Sequence, residues 1–314
     1  MDQTIFQSAS LCVVGNINRD IKTTRITPGD YIFADGETTI GGITETIGGG
    51  GANSAAIAAA LGARVHFVAQ TGEDTLGRQL EAAMTRSHVK CFFHHNPETS
   101  TGSTVNLVWA GGQRHFLSCH PNNRALRFET LQLEALQGVG HLLRADIWFS
   151  ERMLFGGNTM LFQKAKALGL AISLDLNWDP AWGQSSADEI QKRKEAVRAL
   201  LPMVDLAHGN VRELCEFASE KELSAALKAI INWGTGAVVV HMGSEGAGYY
   251  AYEHLTVVPP YPVKNSILAT GTGDVLSACM ILTHGKGEPR ERLQFANRIV
   301  AEYMSGTLQL IPPL

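Results

Sequence analysis

The chain has 314 residues, 45% of them hydrophobic and 18% charged, which is enough for a large buried core and fits a soluble globular protein. A formal net charge of −4 offers no basic surface to a nucleic-acid backbone, and no run of about 18 apolar residues is present to cross a bilayer. Cys12, Cys91, Cys119, Cys215 and Cys279 are scattered, odd in number and never spaced C-x-x-C, so neither a disulfide framework nor a zinc site is expected.

The N-terminal stretch MDQTIFQSASLCVV has no basic region followed by a long apolar one, and the expected setting is a reducing cytoplasm. The run LCVVG then reads as a strand ending in GNINRD (15–20). There Asn18 and Asp20 stand two apart and can share one face of an extended segment, suited to vicinal hydroxyls or, more plainly, to an Asx turn. Residues 21–47 alternate polar with apolar and carry glycine-rich turns, the pattern of a β-ribbon. GGGGANSAA (48–56) opens the helical segment ANSAAIAAALGA. Its glycines allow a ligand close to the backbone and Asn53 offers both a donor and an acceptor, although a flexible hinge would look the same. A dinucleotide fingerprint fails here, because position 54 is Ser where the third glycine is required and ITETI alternates instead of forming a buried strand.

Further along, VHFVAQ and TLGRQLEAAMTRS read as a strand and a helix, and residues 100–119 as a second ribbon. The rhythm resumes with DIWFS, TMLFQKAKALG, AISLDL, ADEIQKRKEAVRALL, VDLAHG, LSAALKAIINWG and AVVVHMG. Strands alternating with helices predict a doubly wound α/β fold, a mainly parallel sheet with helices on both faces. The ribbons are expected to pair into a small β-sheet lid over a cleft, within a single domain spanning 1–314. Open α/β sheets place ligands at the C-terminal ends of their strands, and the remaining motifs fall there. DLNWDP (175–180) puts Asp175 and Asn177 on one face or into a turn before Pro. HGNVREL (208–214) sets Asn210 and Glu213 three apart at a helix start, which suits an ordinary cap or the water shell of Mg²⁺. HMGSEGAGYY (241–250) is either a hairpin turn or a loop passing close to phosphates. In ATGTGDVLSA (269–278) two glycines and Asp274 precede an apolar helix. Unpaired N–H groups at such a start attract an anion, and Asp274 either caps the helix or acts on something beside that anion.

Taken in order, GNINRD, GGGGANSAAIAAALGARVHFVAQTGEDTLG, DLN, NVRE, HMGSEGA and TGTGDVLSA resemble the ribokinase-like (PfkB-type) carbohydrate kinases from near Leu11 to near Ser305. The resemblance implies transfer of the γ-phosphoryl group of ATP, with Mg²⁺, to a hydroxyl of a sugar or sugar-like acceptor. Gly271, Thr272 and Gly273 would present N–H groups to the transferring oxygens, and Asp274 would accept the hydroxyl proton. Asn18, Asp20, Gly49 and Asn53 would hold the sugar. Asn177 and Asn210 would hold phosphates, with Glu213 reaching the metal through water. His241, Gly243, Gly246 and Asn297 would line the nucleotide site, with adenine near Ala296 and Asn297.

Several positions depart from the family pattern. Leu268 and Ala269 stand where Asp-Thr is common, which puts a monovalent-cation site in doubt. Thr272 and Cys279 replace a usual Ala and Gly, and His241 a frequent Thr, without removing a main-chain donor. Asp179 takes the place of an Arg found in several relatives, which favours a neutral hexose or pentose. A nucleoside kinase would differ in lid residues such as Phe33, Trp109, His115 and Phe116, and a phosphosugar kinase in the use of Arg19, Lys22, Arg25 or Arg114. A binding or regulatory protein that kept the fold without the activity is opposed by Asp274 and its glycines. Apolar faces on the ribbons would suit a homodimer.

Overall fold

Strand β1 (Ser10–Val14) shows how one short run serves two cores, for Leu11 and Val13 join one buried cluster while Cys12 and Val14 join the other. That alternation is what a strand covered on both faces requires. The structure is a computed structural model and describes residues 1–27, 35–111, 113–263, 271–309 and 314. After β1 come β2 (Asn18–Thr23), β3 (Ile43–Gly48), α1 (Gly50–Ala60), β4 (Arg64–Gly72), α2 (Thr75–Arg86) and β5 (Val89–Asn96). Next are β6 (Ser103–Val108), β7 (Arg114–Cys119), α3 (Pro121–Arg124), β8 (His141–Arg144), α4 (Asn158–Ala167), β9 (Ala171–Asp175) and α5 (Ala187–Arg198). The chain continues through β10 (Leu206–Asn210), α6 (Val211–Ala218), α7 (Leu223–Asn232), β11 (Ala237–His241), β12 (Ala247–Ala251) and β13 (His254–Val258) to α8 (Thr272–Leu282) and α9 (Pro289–Met304).

The large sheet has nine strands in the order β13-β12-β11-β10-β9-β8-β1-β4-β5. From β11 to β5 neighbours run parallel, and β11-β12-β13 close the far edge as antiparallel pairs. Helices α1, α2, α8 and α9 cover one face and α4, α6 and α7 the other, each contributing to its own hydrophobic cluster. The doubly wound α/β expectation therefore holds.

One strand lies elsewhere than the apolar pattern indicates. DIWFS is not a strand; β8 is the preceding HLLR, and the chain has left the sheet by Asp146. The displacement follows from Arg144, which is fully buried as the last residue of β8. Its guanidinium donates to Asn158 Oδ1 at 2.8 Å, to the Val14 carbonyl at 3.2 Å and to the Ala145 carbonyl, so a charge sits where a hydrophobic reading sees a break. Asp146 then adopts φ 55°, a left-handed turn that Asp tolerates better than most residues.

The two ribbons form a separate four-stranded sheet, β3-β2-β6-β7. Each ribbon is antiparallel, and β2 joins β6 in parallel. The first starts at Asn18, three residues before the expected 21, so Asn18 and Asp20 belong to the small sheet and lie at its root beside the large one. Residues 28–34 and Gly112 fall in the ribbon connections and outside the described residues.

Candidate active site

The C-terminal ends of β1, β8, β9, β10 and β11 gather Asn16, Asp146, Asp175, Asn210 and His241 along one rim of the sheet. On the acceptor side, Asn18 Nδ2 donates to Asp20 Oδ1 at 2.7 Å, so the pair shares one face of β2 as its spacing predicts. Burial pushes the Asp20 carboxyl up, against the opposing effects of Lys22 and Asn18. Gly48 lies opposite Asn18 and close against the Asp20 carboxylate, and a Cβ at Gly49, with φ 98°, would come within 2.5 Å of the Asn16 carbonyl oxygen. These glycines are needed for chain packing as much as for ligand approach.

At the start of α8, Gly271 is the N-cap with φ 86° and makes no side-chain cap, followed by Thr272 and Gly273. Asp274 is the third helical residue, so it is not the cap. Its carboxylate instead accepts a hydrogen bond from Asn53 of α1. Burial, followed by the negative charges of Asp146 and Glu213, pushes Asp274 up to about 7, with the Asn53 bond opposing. Asn53 Oδ1 is buried with no partner of its own. A buried acid poised near neutrality beside open helix N–H groups can take a proton from a hydroxyl while those groups meet an anion.

The Asn210/Glu213 pair takes its plainer form, a complete capping box. Asn210 Oδ1 accepts from the Glu213 N–H at 2.9 Å, and Glu213 Oε2 accepts from the Asn210 N–H at 2.8 Å. Glu213 also accepts from the Trp178 backbone, and burial raises its pKa above the usual carboxylate range. Asp175 and Asn177 likewise form the turn alternative, the Asn177 N–H donating to Asp175 Oδ1 at 3.2 Å. Asn177 Oδ1 remains buried and unpartnered, while its amide reaches Asp146 Oδ1 at 3.5 Å. Burial holds Asp175 well above the carboxylate range, reinforced by Glu213, Asp274 and Asp146.

HMGSEGAGYY is a hairpin, with His241 paired to Ala247 across the turn. Gly246, with φ 101°, is forced by the approach of the Val258 carbonyl, whereas Gly243 has open space around it. His241 Nε2 lies 3.0 Å from Ser277 Oγ, and burial lowers its pKa to about 4, so it is a neutral support beneath Gly273. A largely apolar cleft of about 460 Å³ runs from Met242, Gly243 and Gly246 past Tyr261 to Thr272, Gly273 and Met304. Asn297 borders it and ties α9 to the end of β13 through the Val258 and Pro259 carbonyls. Ala296, expected beside adenine, is instead fully buried in the core, and Val300 and Ala301 line the cleft one turn on.

Asp179 needs correction. Its carboxylate is completely buried and held by Arg193 at 2.7 and 3.0 Å, so it brings no free negative charge to an acceptor. Trp109 and His115 line the face of the small sheet opposite Asp20, while Phe116 pairs with Asn106 on the Asp20 side. Arg19 is turned to Glu45 at 3.6 Å. Phe33, Leu268 and Ala269 lie outside the described residues. Sequence reasoning missed Asp146, whose carboxylate collects four hydrogen bonds, from the N–H groups of Asn16, Gly50 and Gly51 and from the Asn177 amide. It also missed Thr104 and Asn106 on the Asp20 face of β6, where Asn106 Oδ1 is buried without a partner. No spacing signal marks either place, since Asp146 follows an unrecognised strand and β6 reads only as alternation.

The family model described as pfkB family carbohydrate kinase matches residues 8–302. A Bacillus subtilis ribokinase is 24% identical over 291 residues, covering 92% of this chain and 90% of the relative. An Escherichia coli protein solved in complex with ATP and Mg²⁺ superposes with a TM-score of 0.77 at 20% identity, over 95% of this chain and 93% of that one. The adenosine kinase of Sinorhizobium meliloti gives 0.76 at 16% identity, over 98% and 96%. These likenesses show a ribokinase-like fold along nearly the whole chain.

Proposed function

The chain belongs to the pfkB family of carbohydrate kinases, and on that premise we propose that it is an ATP-dependent kinase that phosphorylates a hydroxyl of a neutral hexose or pentose. The observation that carries this reading is Asp274, buried three residues into a helix with an open N-terminus, held by Asn53 and raised to about 7. Asp274 accepts the acceptor's proton, and the N–H groups of Thr272 and Gly273 meet the charge that spreads over the transferring oxygens. ATP supplies the phosphoryl group, and Mg²⁺ offsets the charge on its phosphates.

The residues fit that pair. The apolar cleft beside Tyr261, Val300 and Ala301 has the size and lining of a nucleobase site, and it opens onto Thr272 and Gly273. His241, Gly243, Gly246 and Asn297 border it and shape its wall. Asn177, with an unpartnered buried oxygen, and Asn210 sit on the same rim. The Glu213 carboxylate serves the backbone N–H groups of Asn210 and Trp178, so it acts on a metal only through water.

The acceptor is held by Asn18, Asp20, Asn53 and the backbone at Gly49. These supply acceptors and amide donors suited to hydroxyls, and Lys22, which shares their face, sits beside Asp20. The nucleoside alternative draws on Phe116, a half-exposed ring on that same face. ADP release measured over neutral hexoses, pentoses, nucleosides and phosphosugars decides among them. A phosphosugar or nucleoside as best acceptor overturns the neutral-sugar reading, and no turnover with any acceptor overturns the kinase.

The small sheet also carries the proposed contact with a second copy. Its face away from Asp20 exposes Ile43 and Leu117 beside a cleft of about 1090 Å³ that includes Leu107 and Trp109. Burying such a face stabilises a symmetric pair. Light scattering on Leu117→Lys should show half the mass of the unsubstituted protein, and a monomer in both cases overturns the pairing.

A further inference from the structure

Helix α1 begins without a side-chain cap. Its N-cap is Gly49, forced to be glycine by the Asn16 carbonyl, and no side chain of its own segment bonds the first-turn N–H groups. A distant residue does so. Asp146 Oδ2 accepts from the Gly51 N–H at 2.8 Å and the Asn16 N–H at 2.9 Å, and Oδ1 accepts from the Gly50 N–H at 3.3 Å. The fit is close, because a Cβ at Gly50 would stand 2.8 Å from Oδ1 and one at Gly15 would stand 3.2 Å from Oδ2. A negative charge at this position also favours the helix dipole.

The same turn of α1 carries Asn53, whose side chain bonds the Asp274 carboxylate. Asp146 also takes the Asn177 amide at 3.5 Å, so one carboxylate ties the ends of β1 and β9 to α1. We propose that Asp146 is a positioning residue of the transfer centre. It fastens the first turn of α1 so that Asn53 holds Asp274 in place, and it brings a second negative charge to bear on Asp274.

The electrostatics agree with the geometry. After burial, the charge of Asp146 is the largest influence raising Asp274, ahead of Glu213 from α6. Asp175 at the end of β9 and Tyr303 of α9 also respond to Asp274, and His241 lies beneath Gly273 as a neutral ring. Asp146 itself faces the buried Arg144 and, across the rim, His120. Removing the charge on Asp146 should therefore let Asp274 ionise at lower pH.

The inference rests on Asp274 as the base, and the tests separate the two claims. Asp274→Asn addresses the base alone, and near-normal kcat in it defeats that reading whatever Asp146 does. Asp146→Asn keeps the shape and removes the charge. The acid limb of kcat/KM should move down by about half a pH unit or more, and kcat on the plateau should fall roughly tenfold as Asn53 loosens. Asp146→Glu keeps the charge but displaces the anchor, so kcat should fall with the limb unmoved. Loss of melting temperature in both variants with the limb unmoved in both would mark Asp146 as a structural cap only and overturn the proposal. The unsubstituted protein supplies a measurement independent of how the variants fold. In ¹³C NMR of the aspartate carboxyls, the Asp146 signal should shift as Asp274 titrates, and an Asp146 signal indifferent to that titration overturns the proposal equally.

Discussion

Helices α6 and α8 each begin with an acid three residues after the cap, and they use it in opposite ways. At α6, Asn210 and Glu213 satisfy each other's backbone N–H groups, and Glu213 also takes the Trp178 N–H. That start is closed. At α8 the cap is Gly271, which has no side chain to give, and Asp274 turns away from its own helix to Asn53. That start is open, with donors free for an anion and a carboxylate free for a proton. A shared spacing therefore does not settle a role. The cap residue does, because a side-chain oxygen at the cap consumes the donors that a ligand would need.

The largest expected difference between the two starts lies in the chemical step. Asp274→Asn should lower kcat by roughly 10²-fold or more, the range for a lost general base, while nucleotide binding and the fold persist. Turnover with saturating acceptor checks the first part and nucleotide titration the second. Near-normal kcat would reduce Asp274 to a first-turn acid like Glu213.

A second experiment asks which substrate the open start serves. Asp20 and Asn18 are held together on the small sheet. Asp20→Ala should lower kcat/KM for the sugar roughly 10- to 100-fold, the loss of hydrogen bonds to a charged group, and leave nucleotide affinity in place. Equal loss of sugar and nucleotide affinity would mean that the two ends are not separate. The matching deoxy-sugar should be a poor acceptor for the same reason, since it leaves buried polar atoms unpaired.

The open start should also carry a stability penalty that grows as pH rises. The folded pKa of Asp274 lies at about 7, above the unfolded value of 3.8. The folded state thus binds the extra proton, and this contribution is fully present below the unfolded value and lost as pH rises through about 7. Asp274→Asn removes that dependence. Its melting temperature relative to the unsubstituted protein should rise between about pH 5 and pH 8, and a flat difference across that window would contradict the raised pKa. Activity runs the other way, lost in acid as the base becomes protonated.

How much of this was legible beforehand follows from the kind of signal involved. The alternation of LCVVG with ANSAAIAAALGA, and its repetition through AVVVHMG, carries the doubly wound fold because burial on two faces imposes it on every strand. Motifs local in sequence were placed well. Asn18 and Asp20 do share a face, and Asp274 does open α8. What escaped was long-range. Asp146 serves α1 from 95 residues away, and Arg193 neutralises Asp179 from the next helix. Such partners leave no periodicity. Arg144 hid β8 as well, since a buried guanidinium paired to carbonyls looks like a surface residue in a hydrophobic pattern.

The smallest expected effect belongs to the closed start, and it tests whether α6 is structural alone. Asn210→Ala removes an acceptor from a complete capping box and should cost about 1 kcal/mol of stability, visible in denaturant titration. Glu213→Gln keeps a carbonyl oxygen able to accept from the Asn210 N–H, so its stability loss should be smaller still. Its effect on the metal is another matter. A carboxylate that orients water around Mg²⁺ contributes through its charge, which Gln lacks, and the Mg²⁺ concentration needed for half-maximal turnover should rise a few-fold at fixed ATP. The two variants thus separate along different axes, one in stability and one in metal requirement. If Glu213→Gln leaves the Mg²⁺ titration unchanged, both acids differ as the hydrogen bonds alone suggest, with Glu213 closing a helix and Asp274 serving the reaction.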